Sequence, residues 1–484
     1  MPTPAKPTPE HRPVDRRNFF RKTTAAAALS LSASAYGHVS GANDRVRVAF
    51  LGCGGRAQAH INLIAKLAET GAVAPVAVCD VWDGLEEEYD QRHGNAVIRR
   101  KFAQGLYPSA AKCGLNPADR TRVAKDYRKI LDLKDVDAVC ISTPDHWHAR
   151  MTLDSLAAGK DVYVEKPMTR TADEAVAVMD AAARLNRVVT VGVQSLADPV
   201  WKAAHDFLRT GKLGAVSHLS AGAFRSDVRG QWRFYRLAAE MTPRAVDWDL
   251  FLGHRFEVNG VPLGPDPRAM PFDRAAFAQW RCVSAFSGGP FTDLYVHHVT
   301  RLLAATGLRF PGRVTGAGGL YVERDGRDVP DVATIAADFD ECHLVVTGAT
   351  TSAVPQDEVI RGRRGAIKFV KGGFEVLGDS PELVRVESPK NETEALWANF
   401  LDCVRRRDRV TLCSPELGAA AVAVVALAQA GYRDGRAYAW DRERRTAVPA
   451  DATWAAAHRR TGGDVQPPEY MQLAGPWVGG AEPR

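Results

Sequence analysis

Glu165-Lys166-Pro167 follows the apolar run Asp161-Val162-Tyr163-Val164. An ammonium at the end of a buried strand is costly unless it is solvated or used. A lysine whose pKa is lowered by burial can polarise or deprotonate an alcohol. A plain surface lysine is the generic alternative. Further on runs Gly288-Gly289-Pro290-Phe291-Thr292-Asp293-Leu294-Tyr295-Val296-His297-His298. If it is helical, Asp293 and His297 lie four apart and share one face. A carboxylate beside an imidazole orients it and raises its basicity, which suits a general base for alcohol oxidation. A capping aspartate with a packed histidine would leave the same letters. His298 is expected to point elsewhere, as a structural residue.

A second chemistry lies upstream. Gly52-Cys53-Gly54-Gly55-Arg56-Ala57 reads G-x-G-x-x-A after a strand and before a helix. Gly52 allows the tight turn, Gly54 lets the backbone approach a pyrophosphate, and Ala57 permits close helix packing. Asp80 ends the next apolar run and suits a ribose diol, although it lies 28 positions after Gly52, beyond the usual spacing of about 20. Val81-Trp82-Asp83 offers no arginine for a 2′-phosphate, so NAD is expected rather than NADP. Ser142-Thr143-Pro144-Asp145-His146-Trp147-His148 sits at another strand end, where open α/β sheets bind ligands. Ser142, Thr143 and Asp145 are placed to touch the nicotinamide ribose. His146 and His148 raise the question of a metal, but no third ligand is evident and none is expected. Packing at a helix start is the other reading of the pair.

The elements that must position these groups change character along the chain. Arg45–Leu51, Ala74–Asp80, Val136–Ser142, Asp161–Glu165 and Val188–Gln194 read as apolar strands separated by helical stretches. That alternation implies a Rossmann-type parallel sheet over residues 45–194. From 195 to 441 the strands follow one another with few helices, which suggests an α+β domain on one large, mostly antiparallel sheet. Arg225–Arg281 is expected as loops lining a site, with Arg225 and Trp232 as candidates to hydrogen-bond or stack a sugar or acidic sugar. Loop packing is the competing reading. Residues 442–484 are expected as a tail wrapping the surface.

Residues 1–35 differ in kind. Arg16-Arg17-Asn18-Phe19 precedes a weakly apolar stretch ending Ala33-Ser34-Ala35, in the order of a twin-arginine signal. A disordered basic tail is the alternative. This segment holds six of the 63 Lys/Arg and two of the 57 Asp/Glu, leaving 57 basic against 55 acidic residues. No strongly basic surface follows, and nucleic acid is not an expected partner. No apolar run long enough to span a bilayer is evident. The eight cysteines include no C-x-x-C pair and read as buried thiols.

Taken together and in this order, these motifs resemble the glucose–fructose oxidoreductase/inositol dehydrogenase (Gfo/Idh/MocA) family, over Arg45 to about Asp441. Glu165-Lys166-Pro167 after Gly159-Lys160-Asp161-Val162-Tyr163-Val164, and Thr143-Pro144 with His148, carry the likeness. The resemblance implies catalytic roles for Lys166, Asp293 and His297. It also implies dinucleotide binding by Gly52, Gly54, Gly55, Arg56, Thr143 and Pro144; Cys53, Asp80, Ser142, Asp145, His148, Glu165 and Lys166 are expected at the same cofactor site. Asp145 stands where many members have Asn, and Tyr295 where many have Gly; that tyrosine is expected to narrow the pocket or lend it a hydroxyl. Exported members carrying a twin-arginine signal look most alike. The expectation is therefore an exported, periplasmic NAD-dependent oxidoreductase acting on a CH–OH group of a sugar, polyol or sugar derivative, as a homo-oligomer. A redox-neutral glycosidase, lyase or sugar–sugar exchange cycle on tightly bound NAD is the alternative. A non-catalytic carbohydrate or dinucleotide sensor is the third reading.

Overall fold

The computed structural model describes residues 45–453 apart from 94 and 95. The expected signal segment and the end of the tail lie outside the described residues. The strands are β1 Val46–Leu51, β2 Val73–Cys79, β3 Leu85–His93, β4 Ala96–Gln104, β5 Val123–Ala124, β6 Ala138–Ile141, β7 Asp161–Glu165, β8 Val189–Gly192 and β9 Val216–Phe224. They continue with β10 Glu257–Val258, β11 Val261–Pro262, β12 Arg313–Gly319, β13 Val332–Asp338, β14 His343–Ala349, β15 Val359–Gly362 and β16 Gly365–Val370. β17 Gly373–Gly378, β18 Glu382–Arg385, β19 Tyr438–Asp441 and β20 Thr446–Pro449 complete them. The helices used below are α1 Gly55–Ala68, α2 Leu106–Lys112, α3 Tyr127–Leu131, α4 Asp145–Ala157, α5 Ala172–Arg184 and α6 Val200–Arg209. α7 Trp248–Leu252, α8 Arg274–Ala278, α9 Val296–Thr306, α10 Glu392–Arg406 and α11 Pro415–Asp434 follow.

The first sheet is parallel, in the order β5-β2-β1-β6-β7-β8. Its central strands are buried throughout because helices cover both faces. Strand order reverses between β1 and β6, so the ligand crevice lies outside their C-terminal ends. α1 buries Ala57, His60, Ile61, Ile64 and Leu67, one face at helical spacing.

The second sheet has ten strands, β18-β17-β16-β15-β9-β14-β13-β12-β19-β20, antiparallel except where β9 meets β14. β13 and β14 bury alternate residues, the mark of a sheet covered on one face. α11 touches both α5 and β12, so one apolar core runs from the first sheet into the second. By length and composition alone that helix could cross a membrane, but most of it is buried within the fold.

Two features depart from expectation. β3 and β4 form a separate hairpin inserted after β2. Neither strand shows apolar alternation in sequence; exposed ion pairs cross between them, Lys101 to Glu86 at 2.7 Å and Arg99 to Asp90 at 3.0 Å, while Leu85, Tyr89 and Phe102 pack on an apolar cluster around Trp82. The start of the tail does not merely wrap the surface: β20 pairs with β19, which pairs with β12 and extends the large sheet.

Candidate active site

Gly52 closes β1 with φ +86°, and a Cβ there would lie 2.8 Å from Thr143 N. Only glycine lets the β1 turn press on the segment leaving β6. Gly54 caps α1 without a side-chain bond, and a Cβ on it would meet nothing within 4 Å. The helix start thus faces open space, a seat for a pyrophosphate. Asp80 follows β2. Its Oδ2 accepts the Cys53 N–H at 2.6 Å and its Oδ1 the Trp82 N–H at 2.8 Å. Burial outweighs these bonds and pushes the carboxyl up to about 6. Thr143 Oγ1 is buried with no partner among the described residues. Open glycine loop, partly exposed carboxylate and orphaned hydroxyl together fit a dinucleotide.

Beside this crevice is a cavity of about 450 Å³ lined by Lys166, Asp293, His297 and neighbours from the start of α9 and the end of β9. Residues 127 positions apart are joined here: Lys166 Nζ donates to Asp293 Oδ1 at 2.6 Å and to its carbonyl at 2.9 Å. Arg281 Nε donates to the same Oδ1 at 3.0 Å, and Trp232 Nε1 to Oδ2 at 2.8 Å. Burial alone would raise Asp293, but the Lys166 and Arg281 charges outweigh it and hold the carboxyl well below the usual range. Burial, reinforced by Lys166, pushes His297 well below its ordinary value. Its imidazole is therefore neutral at pH 7, and no protein group hydrogen-bonds it among the described residues. A larger cavity of about 730 Å³ opens between Arg128, Arg150, Asp247 and Arg255, and none of the three expected catalytic residues lines it.

Beneath Lys166 lies a buried hub. Glu165 accepts from Arg56 Nε at 2.9 Å, from Gln194 Nε2 at 2.7 Å and from His60 Nε2 at 2.7 Å. The indole N–H of Trp397 donates to His60 Nδ1 at 2.8 Å, which fixes the proton of the neutral ring on Nε2. Burial would raise Glu165, yet Arg56 and His60 hold it well below its usual range. Gly192 leaves the room: a Cβ there would sit 2.8 Å from the Glu165 carboxyl carbon.

Residues 46–193 match the family described as "Oxidoreductase family, NAD-binding Rossmann fold", Gfo/Idh/MocA. Over these residues the chain is similar to the Gfo/Idh/MocA family. A glycosyl hydrolase family 109 protein of Shewanella pealeana is 32% identical over 236 residues, 48% of this chain and 46% of that protein. The chain thus aligns with less than half the length of such curated relatives. A levoglucosan dehydrogenase solved with NADH shares the fold at TM-score 0.56 and 17% identity, over 84% of this chain and 99% of that one. The Bordetella pertussis WlbA dehydrogenase, solved with NADH and UDP-GlcNAcA, does so at TM-score 0.56 and 16% identity, over 84% and 100%.

Within this site several expected roles change. Asp293 does not orient His297: no hydrogen bond joins them, and its oxygens accept from Lys166, Arg281 and Trp232 instead. Phe291–Tyr295 forms a π turn, which alters the phase between residues four apart. Trp232 is no sugar platform: it is 1% exposed, at φ +65°, and holds Asp293. Tyr295 adds nothing to the cavity, because its hydroxyl donates to the Ala333 carbonyl at 2.7 Å under the large sheet. His298, expected elsewhere, lines the cavity beside His297. Four side chains expected on the dinucleotide are committed to protein partners. Arg56 and Glu165 bind each other, Asp145 accepts from Thr292 Oγ1 at 2.8 Å, and the His148 ring nitrogens face the Pro167 and Thr143 carbonyls at 2.6 and 2.9 Å. His146 bonds the Phe251 carbonyl at 2.9 Å, and burial lowers it to about 3, so the two histidines serve different contacts. Arg225 stands exposed at the cavity wall, as expected of a ligand-facing residue. Arg281 escaped the sequence reading because it sits in a stretch without periodicity. Its guanidinium lies 4.2 Å from the Trp280 ring centroid, an Arg-aromatic pairing that was its one local signal.

Proposed function

We propose that the protein is an NAD-dependent oxidoreductase acting on a CH–OH group of a sugar, polyol or sugar derivative. One observation carries the reading: Lys166 and a neutral, unbonded His297 line one cavity beside the glycine-loop crevice. His297 takes the hydroxyl proton as general base. Lys166, held by Asp293, hydrogen-bonds the same oxygen and stabilises its developing negative charge. Gly52, Gly54, Gly55, Asp80, Ser142 and Thr143 would hold the dinucleotide. When bound, NAD supplies the hydride acceptor. Export through a twin-arginine signal, a periplasmic site of action and a homo-oligomer complete the proposal. The intact Lys166, Asp293 and His297 set disfavours a sensor.

A second reading is a redox-neutral cycle on tightly held NAD, ending in glycosidic cleavage or in hydride exchange between two sugars. Likeness to glycosyl hydrolase family 109 proteins favours it, as would an exported location, where free NAD is expected to be scarce. The test is to purify the mature protein, assay bound dinucleotide, and screen sugars, polyols and glycosides with and without added NAD. Bulk reduction of added NAD supports a net oxidoreductase. Turnover that needs no added NAD supports the closed cycle. No turnover of any sugar by the NAD-loaded protein contradicts both.

A further inference from the structure

The cavity that holds Lys166 and His297 has one cation without a protein partner among the described residues. Three basic side chains line it, Lys166, Arg225 and Arg301, against two carboxylates, Asp293 and Glu392. Lys166 is spent on Asp293 at 2.6 Å, and Arg301 on Glu358 at 2.8 Å. The Arg225 guanidinium has no ion pair or hydrogen bond among the described residues. Its backbone is nonetheless fixed. It follows β9 directly, its N–H donates to the Ala349 carbonyl at 3.0 Å, and Ser226 bridges to Thr351. On the same cavity lining, Ser195 Oγ also lacks a partner among the described residues.

We infer that Arg225 receives an anionic substituent, a carboxylate, sulfate ester or phosphate ester, on the sugar whose hydroxyl lies between Lys166 and His297. The inference rests on the oxidoreductase reading above. A guanidinium offers a planar fork that matches such groups with two hydrogen bonds. Lys166 shares Asp293 with Arg281 and Arg301 is paired with Glu358, so Arg225 is the cation of this lining with no protein partner among the described residues. Glu392, the cavity's second carboxylate, repels an anion on its own side, and so sets which end of the sugar faces which wall.

Three anionic arms separate the sources: a hexuronate methyl glycoside, a hexose 6-sulfate and a hexose 6-phosphate, each against its neutral counterpart. The purified NAD-loaded protein is assayed as wild type, Arg225→Met and Arg225→Lys. The expected result is a lower KM for one anionic sugar than for its neutral counterpart. Arg225→Met should erode that preference by roughly 10-fold or more, the worth of a charge-assisted hydrogen bond, chiefly through KM, and Arg225→Lys should restore part of it. Turnover with neutral sugars preferred, or an Arg225→Met variant that leaves the anionic-to-neutral ratio unchanged, overturns the inference alone. Turnover of neither series overturns the oxidoreductase reading and the inference with it.

Discussion

Replacing Asp293 by Asn keeps the shape of the side chain and removes the charge on which Lys166, Arg281 and Trp232 converge. At an effective dielectric near 20, unit charges about 3 Å apart attract by about 5 kcal/mol. Asp293 has two cationic partners at such range, at 2.6 and 3.0 Å. Most of that attraction offsets the cost of burying the three groups, so the net loss is that of breaking a buried pair from one side, about 3–5 kcal/mol. Urea unfolding should register it as a lower midpoint at an unchanged slope. Lys166 keeps its bond to the residue 293 carbonyl but loses the charge-assisted one that aims it, so kcat on the preferred sugar should fall by about 10²–10³, the worth of one lost preorganised donor. NAD affinity should stay within about twofold, because Asp293 makes no bond to the glycine loop. Trp232→Phe removes the indole bond, about 1.5–3 kcal/mol for a hydrogen bond to a charged group, and leaves a void in a fully buried site that adds to the loss. Full activity in Asp293→Asn would refute the assignment of that carboxylate as the holder of Lys166. Loss of NAD binding in step with activity would refute the separation of the two sub-sites.

His297→Gln should lower kcat by about 10²–10⁴, the usual share of a general base. Burial and Lys166 push His297 well below 6.5, so the group is already deprotonated and competent at neutral pH. The acid limb of kcat/KM should therefore lie well below pH 6.5; a wild-type limb centred at 6.5 that vanishes in His297→Gln counts against the burial argument. The same shift has a stability sign. The unfolded chain takes up this proton below about 6.5 and the native site does not, so His297's contribution is full above that pH and is lost as pH falls. Gly52→Ala forces a Cβ to 2.8 Å from Thr143 N at φ +86°; we expect a loss of about 1–3 kcal/mol of stability and a fall in dinucleotide affinity, measured by the nicotinamide fluorescence of NADH. An unaltered NAD titration would contradict the close approach.

Which parts were legible follows from where the information sits in the chain. β1, β2, β6, β7 and β8 are short apolar runs buried on both faces, and a strand of that kind writes itself into a few consecutive residues. The glycine loop was legible for the same reason: Gly52 and Gly54 act through local backbone geometry. The pairing of Lys166 with Asp293 crosses 127 positions, so the sequence could suggest that both belong to one site but not that they touch. The helical spacing of Asp293 and His297 suggested the wrong partner, because three donors from elsewhere compete for the carboxylate and the turn between them is wide. Trp232 looked like a sugar platform because it lies among arginines in a long loop; its burial depends on Gln231, whose N–H donates to Glu323 at 2.7 Å and whose carbonyl accepts from Arg327. The β3–β4 hairpin was illegible by apolar pattern, since few apolar side chains, chiefly Leu85, Tyr89 and Phe102, mark its packed face among charged neighbours.

The claim at the centre is that residues 166 and 297 act on one substrate oxygen. A double-mutant cycle on kcat, with Lys166→Met, His297→Gln and the combined variant in the NAD-loaded protein, tests it most directly. Groups serving a single transition state are strongly non-additive, so the combined variant should be no more than about tenfold slower than the slower single one. A combined loss equal to the product of the two single losses would mean that the ammonium and the imidazole work apart.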